Sequence, residues 1–302
     1  MNGPDPVRNP GKGLAYALAG NLALTIGFIC AKISLTAFDP VTFSLVWTAT
    51  ATILTLGYLF LRDGWRKLRL PRELWLRTIA MGAATGAGMI WGWSGLKRLD
   101  PSLAAFFGRF ETLLIILMGG LFLSERFQRR EAAPVALMVA GGFLSATGGG
   151  GRVSLGILLI LLAGLATAFQ HLLAKGGLDR ISPRTMLAYR NGLAFLVVLL
   201  WSLSSRLDFQ VPAGCWLATI IGAGFAPFLG FLLVFHSYRH WELSRTGVIL
   251  NVQPLLVIPA SFLVFGTLPG RLALAGGLAI LAGSFWLARI HQQVEKQDKA
   301  GK

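Results

Sequence analysis

Acidic residues are scarce in this chain: 13 Asp and Glu stand against 28 Lys and Arg among 302 residues. Charge of either sign is scarce too, at 14% of residues, where a soluble globule carries about 25%. That deficit excludes an ordinary water-soluble domain. Cysteine is limited to Cys30 and Cys215, each beside apolar residues. Two isolated cysteines offer no metal-binding spacing, and they read as small packed thiols rather than as a disulfide. Catalytic signatures are missing as well. There is no His-Glu-x-x-His, no Gly-x-Ser-x-Gly, and no Asp in the middle of an apolar run. An intramembrane zinc protease, a serine hydrolase and a paired-aspartate enzyme are thereby set aside, and no cofactor or metal is expected. Long polar segments are also lacking, so no loop can hold a separate soluble domain. The net charge of +15 would suit a nucleic-acid binder. Its placement argues otherwise, because the basic residues cluster in short loops between apolar runs.

What is present is apolar length: 54% of the residues are hydrophobic. They form ten runs of membrane-spanning length, at 13–35, 42–62, 74–96, 101–123, 132–149, 154–175, 185–204, 214–236, 244–266 and 271–290. The expected fold class is an all-α polytopic membrane protein whose main environment is the lipid bilayer. Residues 1–12 read as a polar N-terminal segment without a cleavable signal peptide, and 291–302 as a polar tail, either disordered or a short surface helix. With the N-terminus inside, 20 of the 28 lysines and arginines fall on the cytoplasmic side and six on the other. The positive-inside rule then places both termini in the cytoplasm, at a cytoplasmic (inner) membrane. The basic loop Asp63–Glu73 lies along the inner surface on this reading. Phe38-Asp39-Pro40, Leu99-Asp100-Pro101, Ser182-Pro183 and Leu268-Pro269-Gly270 read as short turns.

The two halves repeat. Ala31-Lys32 matches Ala174-Lys175 and Pro40 matches Pro183, at an offset of 143. At an offset of 142, Gly82 and Gly88 match Gly224 and Gly230, Arg129 matches Arg271, and Gly141-x-Phe143 matches Gly283-x-Phe285. The expected units are therefore residues 13–150 and 151–290, each of five spans. Five is odd, so the second unit enters the membrane upside down. Ten transmembrane helices arranged as two inverted five-helix repeats are the architecture of many secondary transporters.

The fourth span carries two charges near its middle, Arg109 and Glu111. Each costs roughly 2.5–3.5 kcal/mol at a bilayer centre, so this span faces protein or water there. Its counterpart, the ninth span, carries Asn251 and Gln253 in the same register. Asn21 and Lys32 in the first span, Phe110-Glu111-Thr112 followed by Leu121-Phe122-Leu123-Ser124-Glu125-Arg126, and Val252-Gln253-Pro254-Leu255 form an ordered set of motifs. This set resembles the drug/metabolite transporter superfamily, in its ten-helix EamA-like branch. Thr112 after Glu111, where the family has Pro, and Gly266-Thr267, where it has Gly-Glu, depart from the pattern. The resemblance implies alternating-access transport, often export, of amino acids or related metabolites.

Candidate residues follow from polarity inside the spans. Glu111 reads either as a site for a substrate ammonium or a proton, or as part of a structural ion pair. Arg109, two residues away and about 200° around an ideal helix, should not share a face with it. It either binds a substrate carboxylate or bonds to a neighbouring helix. Arg190 in the seventh span either snorkels to the surface or contacts substrate. Gln170 and His171 lie deep in the sixth, with His171 as a proton relay or a packing histidine. Trp91 is expected, before Trp93, to face a cavity, unless both belong to an interfacial belt. Glycines 82, 86, 88, 92 and 95 make a smooth strip for close helix packing. With Asn251 and Gln253, these residues describe a monomeric carrier for a small zwitterionic or carboxylate-bearing substrate, with protons as the candidate coupling ion. The alternative is a multidrug or quaternary-ammonium exporter; a channel or lipid scramblase is the remaining reading.

Overall fold

A computed structural model describes residues 9–64, 68–114, 129–147, 154–175, 177, 178, 180–240 and 243–300. The motif Leu121–Arg126, most of residues 1–12 and the expected junction between the units at 150/151 lie outside the described residues. Among the described residues there is no strand. The α-helices, in chain order, are α1 (Pro10–Ser34), α2 (Pro40–Asp63), α3 (Trp75–Arg98), α4 (Pro101–Gly108), α5 (Ala132–Thr147), α6 (Ser154–Lys175), α7 (Pro183–Ser202), α8 (Ala213–Ala223), α9 (Phe231–His240), α10 (Leu243–Leu250), α11 (Gln253–Phe265) and α12 (Arg271–Ala300). A π-helical stretch, Gly224–Gly230, joins α8 to α9 around Pro227. The C-terminal tail continues α12 as helix to Ala300.

The turn motifs work as helix starts. Asp39 Oδ1 accepts the backbone N–H groups of Val41 and Thr42 at 2.9 and 3.0 Å. Asp100 caps Ser102 at 2.8 Å, and Ser182 Oγ caps Thr185 at 3.1 Å. In each case a proline follows as the first helical residue, where its missing N–H has no helical partner to lose. Gly64 ends α2 with φ +70° and Gly266 ends α11 with φ +66°, a backbone region that favours glycine.

Two helices are interrupted at matching places. The fourth-span helix stops at Gly108, turns at Arg109, and is helical again over residues 110–114. Around the turn the bonds tighten to three-residue spacing, from Arg109 N–H to the Phe106 carbonyl and from Thr112 N–H to the Arg109 carbonyl. The ninth-span helix breaks at Asn251 and Val252, between α10 and α11. Arg109 and Asn251 stand in the same register of the two halves.

Seven helical segments among the described residues are long and apolar enough to cross a membrane: Gly11–Ser34, Pro40–Asp63, Leu155–Ala174, Pro183–Ser202, Ala213–His240, Thr246–Phe265 and Arg271–Ile290. This is a multi-pass membrane protein. Of the other three expected spans, the 24-residue α3 is diluted by its glycines, the fourth lies in part outside the described residues, and α5 is a shorter apolar helix. The outer faces suit lipid, with Leu61 and Leu263 each 82% exposed.

Packing couples the halves through small residues, as expected where apolar side chains gain little by leaving lipid. Helix α3 lies against α6 and α7, and α1 against α8, α9 and the π-helical stretch; α5 pairs with α12, α2 with α7, and α4 with α11. The glycine strip of α3 divides between two neighbours. Gly82 and Gly86 receive Leu193 and Val197 of α7, while Gly88, Gly92 and Gly95 receive Ala166, Ala163 and Ile160 of α6. Lys32 Nζ donates to the Leu96 and Leu99 carbonyls at 2.8 and 2.6 Å, tying α1 to the end of α3. Cys30 and Cys215 are free thiols; Cys215 is buried and Cys30 half-buried.

Candidate functional site: a cavity between the halves

A cavity of about 240 Å³ lies inside the bundle. Its polar border is Thr85 from α3, Arg109 and Glu111 at the α4 break, Thr167, Gln170 and His171 from α6, Arg190 from α7 and Gln253 at the start of α11. Its apolar border includes Leu24 and Phe28 of α1, Trp47 of α2, Met89 and Trp93 of α3, and Phe231 of α9. Residues of both halves therefore meet around one space.

The break in α4 overturns the helical-wheel expectation for Arg109 and Glu111. Both border the cavity, because the turn at Arg109 removes the regular 100° step that would have set them on opposite sides. Arg109 Nη1 donates to the Leu250 carbonyl at 2.8 Å and Nη2 to Gln253 Oε1 at 3.1 Å. It thus satisfies a carbonyl released by the break between α10 and α11. Asn251 does not reach the cavity border. It is buried and accepts a hydrogen bond from Thr112 Oγ1 at 3.0 Å, so the two broken helices hold each other.

Glu111 Oε1 lies 3.2 Å from His171 Nε2. His171 Nδ1 is 3.1 Å from the Tyr238 hydroxyl, and its ring stacks on Phe231 with centroids 6.1 Å apart. The imidazole is therefore bonded at both nitrogens, with the tautomer set by which neighbour donates. Arg190 does not snorkel: it is 3% exposed. Its Nε donates to Gln170 Oε1 at 3.1 Å, Nη1 donates to Asn191 Oδ1 at 2.7 Å, and its guanidinium carbon lies 3.5 Å from the Phe231 ring centroid.

Trp91 is also corrected. Trp93, not Trp91, borders the cavity. Two residues along a regular helix reverse the face, and Trp93 is drawn inward by Trp47 and Phe43, with centroids at 5.2 and 5.4 Å. Trp47, Thr85, Phe231 and Tyr238 carried no signal in the sequence, since isolated aromatics and hydroxyls are ordinary in spans. Asn191 was visible only as Arg190's neighbour. Among the described residues no cluster of three His, Cys, Asp or Glu could hold a metal ion.

Among the described residues the arrangement sets two guanidinium groups against one carboxylate, within aromatic walls. The model of the EamA-like transporter family matches residues 11–147 and again residues 154–289. The chain belongs to this family. Its two matches meet where the two broken helices enclose the cavity, so the transporter's cavity lies between its family units. A probable terminal-alkyne amino-acid exporter of Streptantibioticus cattleyicolor is 23% identical over 228 residues, covering 74% of this chain and 76% of that protein. A crystal structure described only as that of a protein superposes with a TM-score of 0.67 at 19% identity, covering 93% of this chain and 98% of the other. That likeness concerns the fold. The family and this relative are both described as transporters.

Proposed function

We propose that this transporter is an alternating-access carrier of the cytoplasmic membrane that exports small carboxylate-bearing metabolites such as amino acids. The cavity carries the proposal. A buried cation needs a compensating charge, and Arg109 and Arg190 outnumber Glu111 around a space of metabolite size. Glu111, bonded to His171, is the group for an ammonium or a proton. The description of the Streptantibioticus cattleyicolor relative as an amino-acid exporter supports the direction and the substrate class.

Ten spans in two inverted repeats are part of the proposal. Interchanging the halves maps the α1–α8/α9 contact onto the α6–α3 contact, and it maps the α5–α12, α2–α7 and α4–α11 contacts onto themselves. A pseudo-two-fold axis has this property. Discontinuous helices near such an axis are where secondary transporters place substrate. The units are residues 13–150 and 151–290, working as a monomer with both termini cytoplasmic. On that orientation two ion pairs tie α7 and its preceding turn to the cytoplasmic ends of the first half: Arg184 with Asp63 at 2.9 Å, and Arg180 with Glu73.

Counterflow in proteoliposomes tests the function. Labelled amino acid should accumulate transiently against unlabelled amino acid, and the flux should saturate. A second reading, export of quaternary ammonium compounds, draws on the Trp47–Trp93 pair, whose faces suit a cation. Counterflow driven best by a quaternary ammonium without a carboxylate would replace the first reading, and a non-saturating leak would indicate a channel.

Two structural predictions accompany this reading. A reporter enzyme active only outside the cytoplasm, fused after Lys302, should remain silent; strong activity would reverse the orientation. Ala105 of α4 and Val257 of α11 sit in one buried cluster with Ile29. Cysteines at these two positions, in a background without Cys30 and Cys215, should be joined by a short thiol cross-linker. Absence of cross-linking with efficient labelling of each cysteine alone would contradict the α4–α11 contact.

A further inference from the structure

Among the described residues, Arg190 and Gln170 leave a pair of hydrogen-bond donors without an acceptor. Gln170 is 2% exposed, yet its Nε2 has no partner there. Its amide orientation follows from Arg190, whose Nε can only donate and reaches Oε1 at 3.1 Å; Thr85 Oγ1 lies 2.7 Å from the same oxygen, with its single O–H within reach of both that oxygen and the Met81 carbonyl at 2.8 Å. The oxygen must face the Arg190 Nε–H, so the NH₂ group is left over. Arg190 is held just as firmly. Asn191 Nδ2 donates to Thr55 Oγ1 at 2.9 Å and to the Pro227 carbonyl at 3.0 Å, which turns Asn191 Oδ1 toward Arg190 Nη1. Phe231 covers one guanidinium face. The remaining terminal nitrogen, Nη2, has no hydrogen-bond partner among the described residues. No carboxylate among them lies within ion-pair distance of Arg190, since the ion pairs there use Glu111, Glu73 and Asp63 with other partners.

Arg109 differs. Both of its terminal nitrogens are engaged, by Leu250 and Gln253, and only its Nε, which no terminal fork presents, is without a partner among the described residues; it serves as a tie across the break. A buried guanidinium without a counter-ion is costly, and one guanidinium N–H₂ together with one amide N–H₂ can each donate to an oxygen of a carboxylate.

We propose that Arg190 Nη2 and Gln170 Nε2 are the carboxylate site of the cavity, selecting monocarboxylates with an apolar body that lies toward Trp47 and Trp93. Thr85 is a positioning residue that aims the Gln170 amide. An α-amino group is accepted but not required, because Glu111 already has His171 as partner. This inference rests on the carrier reading above and makes it specific.

The test uses the purified full chain in lipid nanodiscs and equilibrium binding of three labelled probes: norleucine, hexanoate, which lacks its amino group, and pentylamine, which lacks its carboxylate. Wild-type protein should bind norleucine and hexanoate, and pentylamine at least about 30-fold more weakly, the low end of the cost of leaving one partner of a buried charge pair alone. Arg190→Gln should lose a similar factor for both carboxylates. Thr85→Val should weaken hexanoate and norleucine together, and Thr85→Ser should restore them. If Arg190→Gln does not fold, the Thr85 pair decides, because unchanged hexanoate affinity in Thr85→Val overturns the site. Wild-type affinity for hexanoate in a folded Arg190→Gln protein overturns it too, while leaving a carboxylate carrier standing. Preference of the wild type for pentylamine removes both. If none of the three binds, the apolar monocarboxylate assignment falls, and counterflow of some other carboxylate would show that the broader reading survives.

Discussion

Glu111→Gln is expected to abolish transport while leaving the protein in the membrane at normal abundance. Among the described residues Glu111 is the one carboxylate bordering a cavity that also holds Arg109 and Arg190. Glutamine is nearly isosteric and can still accept a hydrogen bond from His171, so packing is preserved. What goes is the negative charge. The space then carries two guanidinium groups with no compensating anion, and an ammonium or proton entering it has no partner. Losing one member of a buried charge pair costs about 2–5 kcal/mol, which is roughly 30-fold to several thousand-fold at 1.36 kcal/mol per factor of ten. Arg109→Gln should also impair transport, by another route. It frees the Leu250 carbonyl and loosens the link between the two breaks, so its effect should appear in the turnover rate as well as in affinity. The measurement is initial counterflow rate at matched protein density. A Glu111→Gln protein that transports at the wild-type rate would remove Glu111 from the mechanism.

The largest effect on folding is expected at Gly276. A Cβ there would meet the Gly141 carbonyl oxygen, and it would stand 2.5 Å from both the backbone nitrogen and the hydroxyl of Ser145. From the other side, a Cβ on Gly141 would lie 2.6 Å from the Gly276 carbonyl. Helices α5 and α12 thus touch backbone to backbone, and no flexible side-chain end is available to yield. Gly276→Leu must push the helices apart. Overpacking of this kind costs about 3 kcal/mol or more, a large share of a total stability of about 5–15 kcal/mol. Gly57→Ala is the control, since nothing lies within 4 Å of its added carbon. Thermal denaturation in detergent, followed by the monodisperse fraction, should show a large loss for Gly276→Leu and almost none for Gly57→Ala. Equal stability of the two proteins would contradict the close approach of α5 and α12.

Much of the candidate site could be read from residue types. A charged or amide side chain inside an apolar run is expensive enough in lipid to mark a place where the helix faces something else. Glu111, Arg109, Gln170, His171, Arg190 and Gln253 were all visible on that ground, and all border the cavity. The same argument failed in detail at Asn251, because an amide can equally be satisfied by a neighbouring helix, and Thr112 does so. It also had no means of choosing between Trp91 and Trp93. Both are amphipathic, and the choice depends on where Trp47 and Phe43 stand in three dimensions.

By itself the sequence determined the helical class, the repeat of one half in the other and the polar residues that must avoid lipid. Hydrophobic length, helix-start chemistry and the cost of buried charge are local properties, legible along the chain. Only the tertiary structure decided how those residues combine. The turn at Arg109 brings that residue and Glu111 to one space, although a continuous helix would separate them. The occupied ends of Arg109 and the unmatched donors of Arg190 and Gln170 depend on contacts between α6, α7, α10 and α11. Two arginines inside apolar spans look alike as letters. They differ because one meets a carbonyl freed by a broken helix, while the other meets an amide whose acceptor is already used.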